Sequence, residues 1–137
     1  RSVVQLKGDK AVERQKRWQK IAEAAAKQCG RDKIPQILPV QLMEKALEAL
    51  PEEAHIIMPW ECETEQSFRQ ILAAEAPEKA VLIIGPEGGL TVKEVEAAKA
   101  KGAVTVTLGP RILRTETAAF AAIAIMMFAW GDMGGKA

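Results

Sequence analysis

The sequence predicts an α/β fold in which helices flank a parallel sheet. Short apolar runs rich in β-branched residues alternate along the chain with longer segments of helical periodicity, an order typical of βα units. The runs are continuously apolar, as expected of strands that are buried on both faces of a parallel sheet. A length of 137 residues and an apolar content of 48% suit one globular domain with its own core.

Glycines, prolines and helix-capping residues mark the boundaries of the predicted elements. The predicted helices are residues 11–29, 41–50, 64–75, 91–101 and 115–130. The predicted strands are residues 3–4, 35–40, 54–58, 80–84 and 104–108, of which the first two also fit extended loop segments. Gly30 is placed to end the first helix in a left-handed conformation. Thr91 and Glu94 predict a capping box, and the tail at 131–137 is expected to be loose.

Charge is distributed unevenly along the chain. A net charge of +1 conceals a basic segment at residues 1–33 and an acidic remainder. The basic segment suggests an anionic partner such as RNA or DNA. A solvated, lysine-rich helix face would explain the same pattern.

Cysteine content and apolar run length narrow the class of protein. Cys29 and Cys62 are too few and too far apart for a disulfide framework or a zinc site, and they are typical of reduced thiols in a cytoplasmic protein. The longest apolar run, residues 118–130, is shorter than the roughly 20 residues that cross a bilayer. The sequence therefore predicts no metal site and no membrane span, and it predicts that this run is a buried helix or an oligomer interface.

A glycine-rich loop, GPEGG at residues 85–89, follows the predicted strand at 80–84. Ligands of parallel sheets bind at the carboxyl ends of the strands, and glycines allow the backbone to approach a ligand closely. The loop lacks the Gly-Lys-Ser/Thr ending of a P-loop, which argues against a phosphate cradle. An ordinary βα connection would also use glycine and a capped helix, so this loop alone leaves both interpretations open.

A second loop, residues 108–118, repeats the order of strand, Gly/Pro turn and helix start. If the two strands are neighbours, the two loops lie side by side. Ile112 and Leu113 are apolar where a loop is usually polar. They would suit a pocket for a flat apolar group such as adenine, or they could plug the core.

Taken together, LIIGPEGG at 82–89 and LGPRILRTETAA at 108–119 resemble the SPOUT superfamily of S-adenosylmethionine-dependent RNA methyltransferases. Within it, the chain resembles the family of ribosomal RNA small subunit methyltransferase E, which methylates uridine N3. RWQKIAEAAAKQCGRDKIPQI at 17–37 and RSVV at 1–4 are similar to further elements of that family. Its members begin with a β-rich RNA-binding domain, followed by a strand and a helix. We therefore expect residues 1–137 to be a SPOUT methyltransferase domain without those segments, the C-terminal part of a longer protein or a shortened version.

The resemblance implies a parallel sheet with a C-terminal trefoil knot, a homodimer, and ribosomal RNA as the partner. It places S-adenosyl-L-methionine between three loops, at residues 58–61, 85–89 and 108–118. The cofactor-binding residues that it implies are Met58, Trp60, Glu61, Gly85, Pro86, Glu87, Gly88, Gly89, Leu108, Gly109, Ile112, Leu113, Arg114, Thr117 and Ala118. The last helix would contribute to the dimer interface or to the core through Phe120, Ile123, Met126, Met127 and Trp130.

The implied reaction removes a proton from uridine N3, so it needs a base or a cation that favours the deprotonated imide. Arg114 and Glu116 are the catalytic candidates; alternatively, Arg114 closes the loop and Glu116 complements the helix dipole. Glu87 would hydrogen-bond the turn, help to hold RNA, or be purely structural. His55, at a predicted strand start, is expected to be structural.

The candidate RNA contacts are Arg1, Arg14, Arg17 and Arg31, and for each of them simple solvation is the alternative. Two other functions stay open at this point. The chain could be a non-enzymatic RNA-binding module, or an inert fragment of a longer methyltransferase that does not capture its RNA.

Overall fold

The computed structural model describes residues 8–135, and these contain five helices and three strands. In chain order they are α1 (Asp9–Cys29), α2 (Met43–Glu48), β1 (His55–Pro59), α3 (Phe68–Leu72), β2 (Ala80–Leu82), α4 (Val92–Ala100), β3 (Val104–Val106) and α5 (Thr115–Ala129). The described residues form two compact units, a smaller one at 8–42 and a larger one at 43–135. The expected strand at 3–4 lies outside the described residues.

The larger unit is built on a three-stranded parallel sheet in the order β2-β1-β3. Ile57 pairs with Leu82 on one side of β1 and with Val104 on the other. This confirms the predicted α/β class and parallel sheet. The strands at 80–84 and 104–108 are not neighbours, because β1 lies between them.

Both outer strands are shorter than predicted. Ile83 still donates its N–H to the Ile57 carbonyl at 2.9 Å, but the regular ladder of β2 ends at Leu82. β3 ends at Val106 because Thr107 turns to other partners: its N–H donates to the Gln66 carbonyl at 2.8 Å. The chain therefore leaves the sheet early enough for both glycine loops to curve over its edge.

Successive side chains of β1 point to opposite faces of the sheet and enter two separate cores. Ile56 and Met58 pack in one cluster with residues of α2 and α4, including Val95. Ile57 packs in the other with Phe68 of α3, Val106 and Ala122 of α5. Helices thus cover both faces, as the continuously apolar strands predict.

α5 begins and ends close to the predicted limits, at Thr115 and Ala129. It is apolar on all sides, and only part of it is buried. Ala122 is fully buried, whereas Phe120 is 76% exposed and Phe128 is 71% exposed. No helix within residues 8–135 combines the length and the apolar character needed to cross a membrane.

The smaller unit consists of α1 and the extended segment that follows it. Gly30 ends α1 with φ 70°, and the Arg31 N–H donates to the Ala26 carbonyl at 2.9 Å, as the glycine signal predicts. The segment at 35–40 is not a strand. Side chains of α1 satisfy its backbone instead, because Gln19 accepts from the Ile37 N–H at 2.8 Å and Gln15 donates to the Ile37 carbonyl at 2.8 Å.

Candidate functional site

A cleft of about 740 Å³ lies within the larger unit at the carboxyl ends of the three strands. Three segments form its walls: residues 59–61 after β1, residues 84–90 after β2, and residues 107–118 after β3. The cleft therefore occupies the position at which parallel α/β sheets bind ligands.

The wall at residues 84–90 is shaped by its glycines. Gly89 has φ +72°, and its N–H donates to the Pro86 carbonyl at 2.9 Å, which closes a tight turn. A β-carbon on Gly89 would overlap the Glu61 carboxylate of the neighbouring wall. The positive φ favours glycine at this position, and a larger residue here would also require the Glu61 side chain to move. Thr91 then caps α4 by accepting from the Glu94 N–H at 3.1 Å, in the predicted capping box.

The wall at residues 107–118 begins with a second glycine turn. The Gly109 N–H donates to the Thr107 hydroxyl oxygen at 3.1 Å, and Gly109 has φ +115°. The turn presents Ile112, which is 88% exposed, and Leu113 toward the cleft. Neither side chain plugs the core. Such exposed aliphatic side chains inside a cleft are suited to a flat apolar ligand group.

Charged side chains of both signs line the cleft. They are Glu61, Glu87, Arg111, Arg114 and Glu116. All five side chains are exposed, so each can contact a ligand in the cleft without any change in the packing of the core. Arg114 is the residue that precedes α5, and the Ala118 N–H donates to its carbonyl at 2.8 Å. Glu116 lies in the first turn of α5, where a negative charge complements the helix dipole.

The third wall, after β1, is the most strongly hydrogen-bonded. The Trp60 N–H donates to the Val106 carbonyl at 3.1 Å, so the chain stays tied to β3 beyond the end of the sheet. Glu63 accepts from the Thr105 hydroxyl at 2.5 Å and from the backbone N–H groups of Glu65 and Gln66. These bonds, led by that from Thr105, lower the pKa of the Glu63 carboxyl from 4.5 to about 2. Glu63 is therefore a carboxylate at neutral pH.

Most of the residues implied by the resemblance line this one cleft. Those that do are Trp60, Glu61, Gly85, Pro86, Glu87, Gly88, Gly89, Leu108, Gly109, Ile112, Leu113, Arg114, Glu116 and Ala118. Met58 and Thr117 do not line it. Met58 is fully buried because the alternation of β1 directs it into the core beside α4. Thr117 is exposed but lies off the side of α5 that carries Thr115 and Ala118 into the cleft.

Several lining residues were not predicted from the sequence: Pro59, Ile84, Leu90, Thr107, Arg111 and Thr115. Pro59, Arg111 and Thr115 lie within the loops that the resemblance implied, and extending the loops by one residue would have found Ile84, Leu90 and Thr107. Thr107 carried a further signal, since a hydroxyl at a strand end commonly caps the following turn.

His55 lies at the amino end of β1, at the edge of the sheet opposite the cleft. Its ring packs against Trp130 with centroids 5.9 Å apart, which agrees with a structural role. The Trp130 indole N–H donates to the Ala74 carbonyl at 3.1 Å. Within residues 8–135, no group of three or more His, Cys, Asp or Glu side chains is arranged to hold a metal ion.

The candidate RNA contacts lie in the smaller unit. Arg14 and Arg17 are exposed and occupy neighbouring positions on one face of α1. Arg31 is exposed directly after the glycine that ends the helix. Arg1 lies outside the described residues.

Known proteins share both the sequence and the fold. A family model for the RNA methyltransferase domain matches residues 1–127. The chain is 37% identical over 133 residues to ribosomal RNA small subunit methyltransferase E of Bacillus subtilis, covering 93% of this chain and 52% of that protein. The corresponding protein of Buchnera aphidicola is 33% identical over 127 residues, covering 85% of this chain and 46% of that protein. The chain thus spans about half the length of the curated relatives it matches.

Two solved structures are similar to this chain in fold. The crystal structure of ribosomal RNA small subunit methyltransferase E from Neisseria gonorrhoeae, bound to S-adenosyl methionine, has a TM-score of 0.79 and 38% identity, covering 96% of this chain and 54% of that one. A putative methyltransferase from Legionella pneumophila, in complex with the same cofactor, has a TM-score of 0.84 and 30% identity, covering 96% and 52%. The chain belongs to the RNA methyltransferase domain family.

Proposed function

We propose that this chain is the catalytic domain of an S-adenosyl-L-methionine-dependent methyltransferase that acts on N3 of a uridine in small-subunit ribosomal RNA. The observation that carries the proposal is the meeting of both glycine loops in one cleft, at the ligand-binding edge of a parallel sheet. The names and bound cofactor of the similar proteins support the same reaction.

The cleft suits this cofactor in size and in chemistry. A volume of about 740 Å³ lies within the ordinary range for small-molecule sites. Ile112 and Leu113 offer apolar contacts for adenine, and the glycine turns offer backbone N–H and carbonyl groups for its polar edge. Carboxylates and guanidinium groups on the same walls complement a ligand that carries an ammonium, a carboxylate and a sulfonium. The side chains of Met58 and Thr117 do not line the cleft. These two residues would therefore contact the cofactor through backbone groups or act through neighbouring residues.

The cofactor supplies a methyl group bound to a positively charged sulfur. Transfer forms an N3–C bond, breaks the S–C bond, and releases the N3 proton. We assign the Arg114 guanidinium to the imide, where its positive charge would favour the deprotonated form. Glu116, on the adjacent turn, would accept the proton or orient Arg114. Much of the rate would come from holding N3 in line with the methyl group.

Isothermal titration calorimetry with S-adenosylhomocysteine tests the proposal. We expect one site per chain in the wild type and no binding in Gly88→Val, because the added side chain would occupy the cleft. Arg114→Ala should bind more weakly, since Arg114 lines the cleft, and a separate assay of methyl transfer to RNA should detect no activity. An Arg31→Ala variant is the matched control for removal of an arginine, and it should bind normally.

A folded wild-type chain that does not bind the cofactor product would overturn this function. If RNA binding then survived both cleft substitutions, the non-enzymatic RNA-binding alternative would replace it. Methylation that required a longer form of the chain would identify residues 1–137 as a fragment that binds the cofactor but does not capture RNA.

The same proposal has consequences for shape and assembly. We propose a SPOUT-type domain whose C-terminal segment, including residues 108–130, is threaded into a trefoil knot. We also propose a homodimer joined through α5. The exposed side chains of Phe120 and Phe128 support this proposal. RNA contacts by Arg1, Arg14, Arg17 and Arg31, and a role in cytoplasmic ribosome biogenesis, follow from the proposed substrate.

A further inference from the structure

The Glu63 carboxylate accepts three hydrogen bonds, yet it does not line the cleft. It bridges two elements that are distant in sequence: the loop between β1 and α3, and the buried Thr105 of β3. The Thr105 hydroxyl donates to one carboxylate oxygen, and the N–H groups of Glu65 and Gln66 donate to the other. One side chain thereby fixes both the path of its own loop and the position of that loop against the sheet.

The bridge lies between two walls of the cleft. On one side, Glu63 follows Trp60 and Glu61, which line the cleft, and its N–H donates to the Trp60 carbonyl at 3.0 Å. On the other side, Thr105 is followed by Thr107, which begins the wall that contains Ile112 and Arg114. Displacement of the Glu63 carboxylate would therefore shift these walls relative to each other.

Trp60 depends on its neighbours for its orientation. Its indole Nε1 is buried and has no hydrogen-bond acceptor among the described residues. The Lys99 ammonium lies 6.0 Å from the centre of its ring, and the same ammonium interacts favourably with the Glu63 carboxylate. The ring of Trp60 and the carboxylate of Glu63 thus share Lys99 as a nearby positive charge.

We propose that Glu63 is a positioning residue of the cofactor site, which acts by locking the β1–α3 loop to Thr105 so that Trp60 and Glu61 hold their places in the cleft wall. This inference rests on the proposed cofactor function. The lowered pKa agrees with this geometry, because the hydrogen bonds from Thr105 and from the Glu65 and Gln66 N–H groups favour the charged carboxylate.

Two substitutions each disrupt the hydrogen bond between Glu63 and Thr105, one at the acceptor and one at the donor. Glu63→Gln removes the charge, and Thr105→Val removes the hydroxyl with little change of shape. We expect each to weaken S-adenosylhomocysteine binding by about 10-fold, since displacements of around 1 Å in a binding wall have effects of this order or larger. The double variant should be little worse than either single variant, because both remove the same interaction. Thr105→Ser keeps the hydroxyl and should therefore bind S-adenosylhomocysteine with wild-type affinity.

Glu65→Gln is the matched control. It removes the same charge from the same loop, but the Glu65 side chain is exposed and only its backbone N–H takes part in the bridge. We expect unchanged affinity in this variant. All titrations are made at a temperature at which urea unfolding shows every variant to be fully folded. A role in stability alone would lower the unfolding midpoint and leave the affinity unchanged, and that result would overturn the proposal.

Amide hydrogen exchange of the ligand-free protein provides a test that does not need the cofactor. We expect faster exchange at residues 60–67 in Glu63→Gln and Thr105→Val, and no change in Glu65→Gln. Unchanged exchange in all three variants would overturn the proposed locking of the loop. A wild-type chain that fails to bind S-adenosylhomocysteine would instead overturn the proposed function, while the exchange rates would still decide whether Glu63 orders the loop.

Discussion

Gly89 is subject to two separate structural constraints. Its φ of +72° is a conformation that residues with a β-carbon adopt only at a cost, and the space beside its α-carbon is filled by the Glu61 carboxylate. Gly102, at the end of α4, shares the first constraint but not the second, because it has φ +87° and open space around it. The pair therefore separates backbone strain from the contact between the two cleft walls.

We expect Gly89→Ala and Gly102→Ala each to lower the free energy of unfolding by about 1 kcal/mol or more through backbone strain. Only Gly89→Ala should also weaken S-adenosylhomocysteine binding, since its methyl group displaces the Glu61 carboxylate from its place in the cleft. Urea unfolding and calorimetry measure the two effects. Equal cofactor affinity in both variants would contradict the importance of this contact.

At the scale of residues, interactions between positions close in the sequence could be predicted from the sequence, whereas interactions between positions far apart in it could not. The capping box of Thr91 and Glu94 and the left-handed Gly30 both follow from residues a few positions apart. The bridge between Glu63 and Thr105 joins residues 42 positions apart, and no periodicity or motif connects them. The proposed role of Glu63 therefore rests on the folded structure alone, whereas Trp60 was already among the residues that the resemblance implied.

At the scale of elements, the alternating order of strands and helices predicted a parallel sheet but not its strand order. β1 pairs with both other strands because β2 and β3 pack on either side of it. The order of the strands along the chain does not indicate which strand is central, because each crossover can return to either edge of the sheet. The wall after β1 consequently lies between the two glycine loops, rather than to one side of them.

α5 illustrates the ambiguity of a helix that is apolar on every side. The sequence allowed burial in the core or an oligomer interface, and in the larger unit only part of the helix packs in the core. Ala122 contacts the core with Met126, whereas Phe120, Ile123 and Phe128 are exposed. Monomeric proteins rarely leave several large apolar side chains exposed on one helix, so this face is expected to be covered by a partner.

We expect Phe120→Glu and Phe128→Glu each to shift the protein from dimer to monomer, because a carboxylate would be buried in the proposed interface. Thermal unfolding should remain cooperative, as neither side chain belongs to the core. Sedimentation equilibrium measures the change, and Lys101→Glu, which alters an exposed residue of α4's end, is the control. A wild-type monomer, or a dimer unaffected by both substitutions, would contradict the proposed use of α5.

At the scale of the whole molecule, the cleft and the candidate RNA contacts lie in different units. The larger unit contains the cleft, and the smaller unit contains much of the positive charge, including Arg14, Arg17 and Arg31. This asymmetry was visible in the sequence, although charge alone did not separate RNA binding from simple solvation. Under the proposed function, the cofactor and the RNA would be bound by different elements.

Salt dependence separates RNA contacts from solvated charges. For a short single-stranded RNA that contains uridine, each phosphate contact contributes about 0.7 to the slope of log affinity against log salt concentration. We expect Arg14→Gln, Arg17→Gln and Arg31→Gln each to reduce that slope by about this amount and to weaken binding at low salt. Lys101→Gln removes an equally exposed charge from the larger unit and should leave the slope unchanged. If all four variants changed affinity to the same small extent, general electrostatic attraction would explain the binding, and the three arginines would be solvated residues rather than RNA contacts.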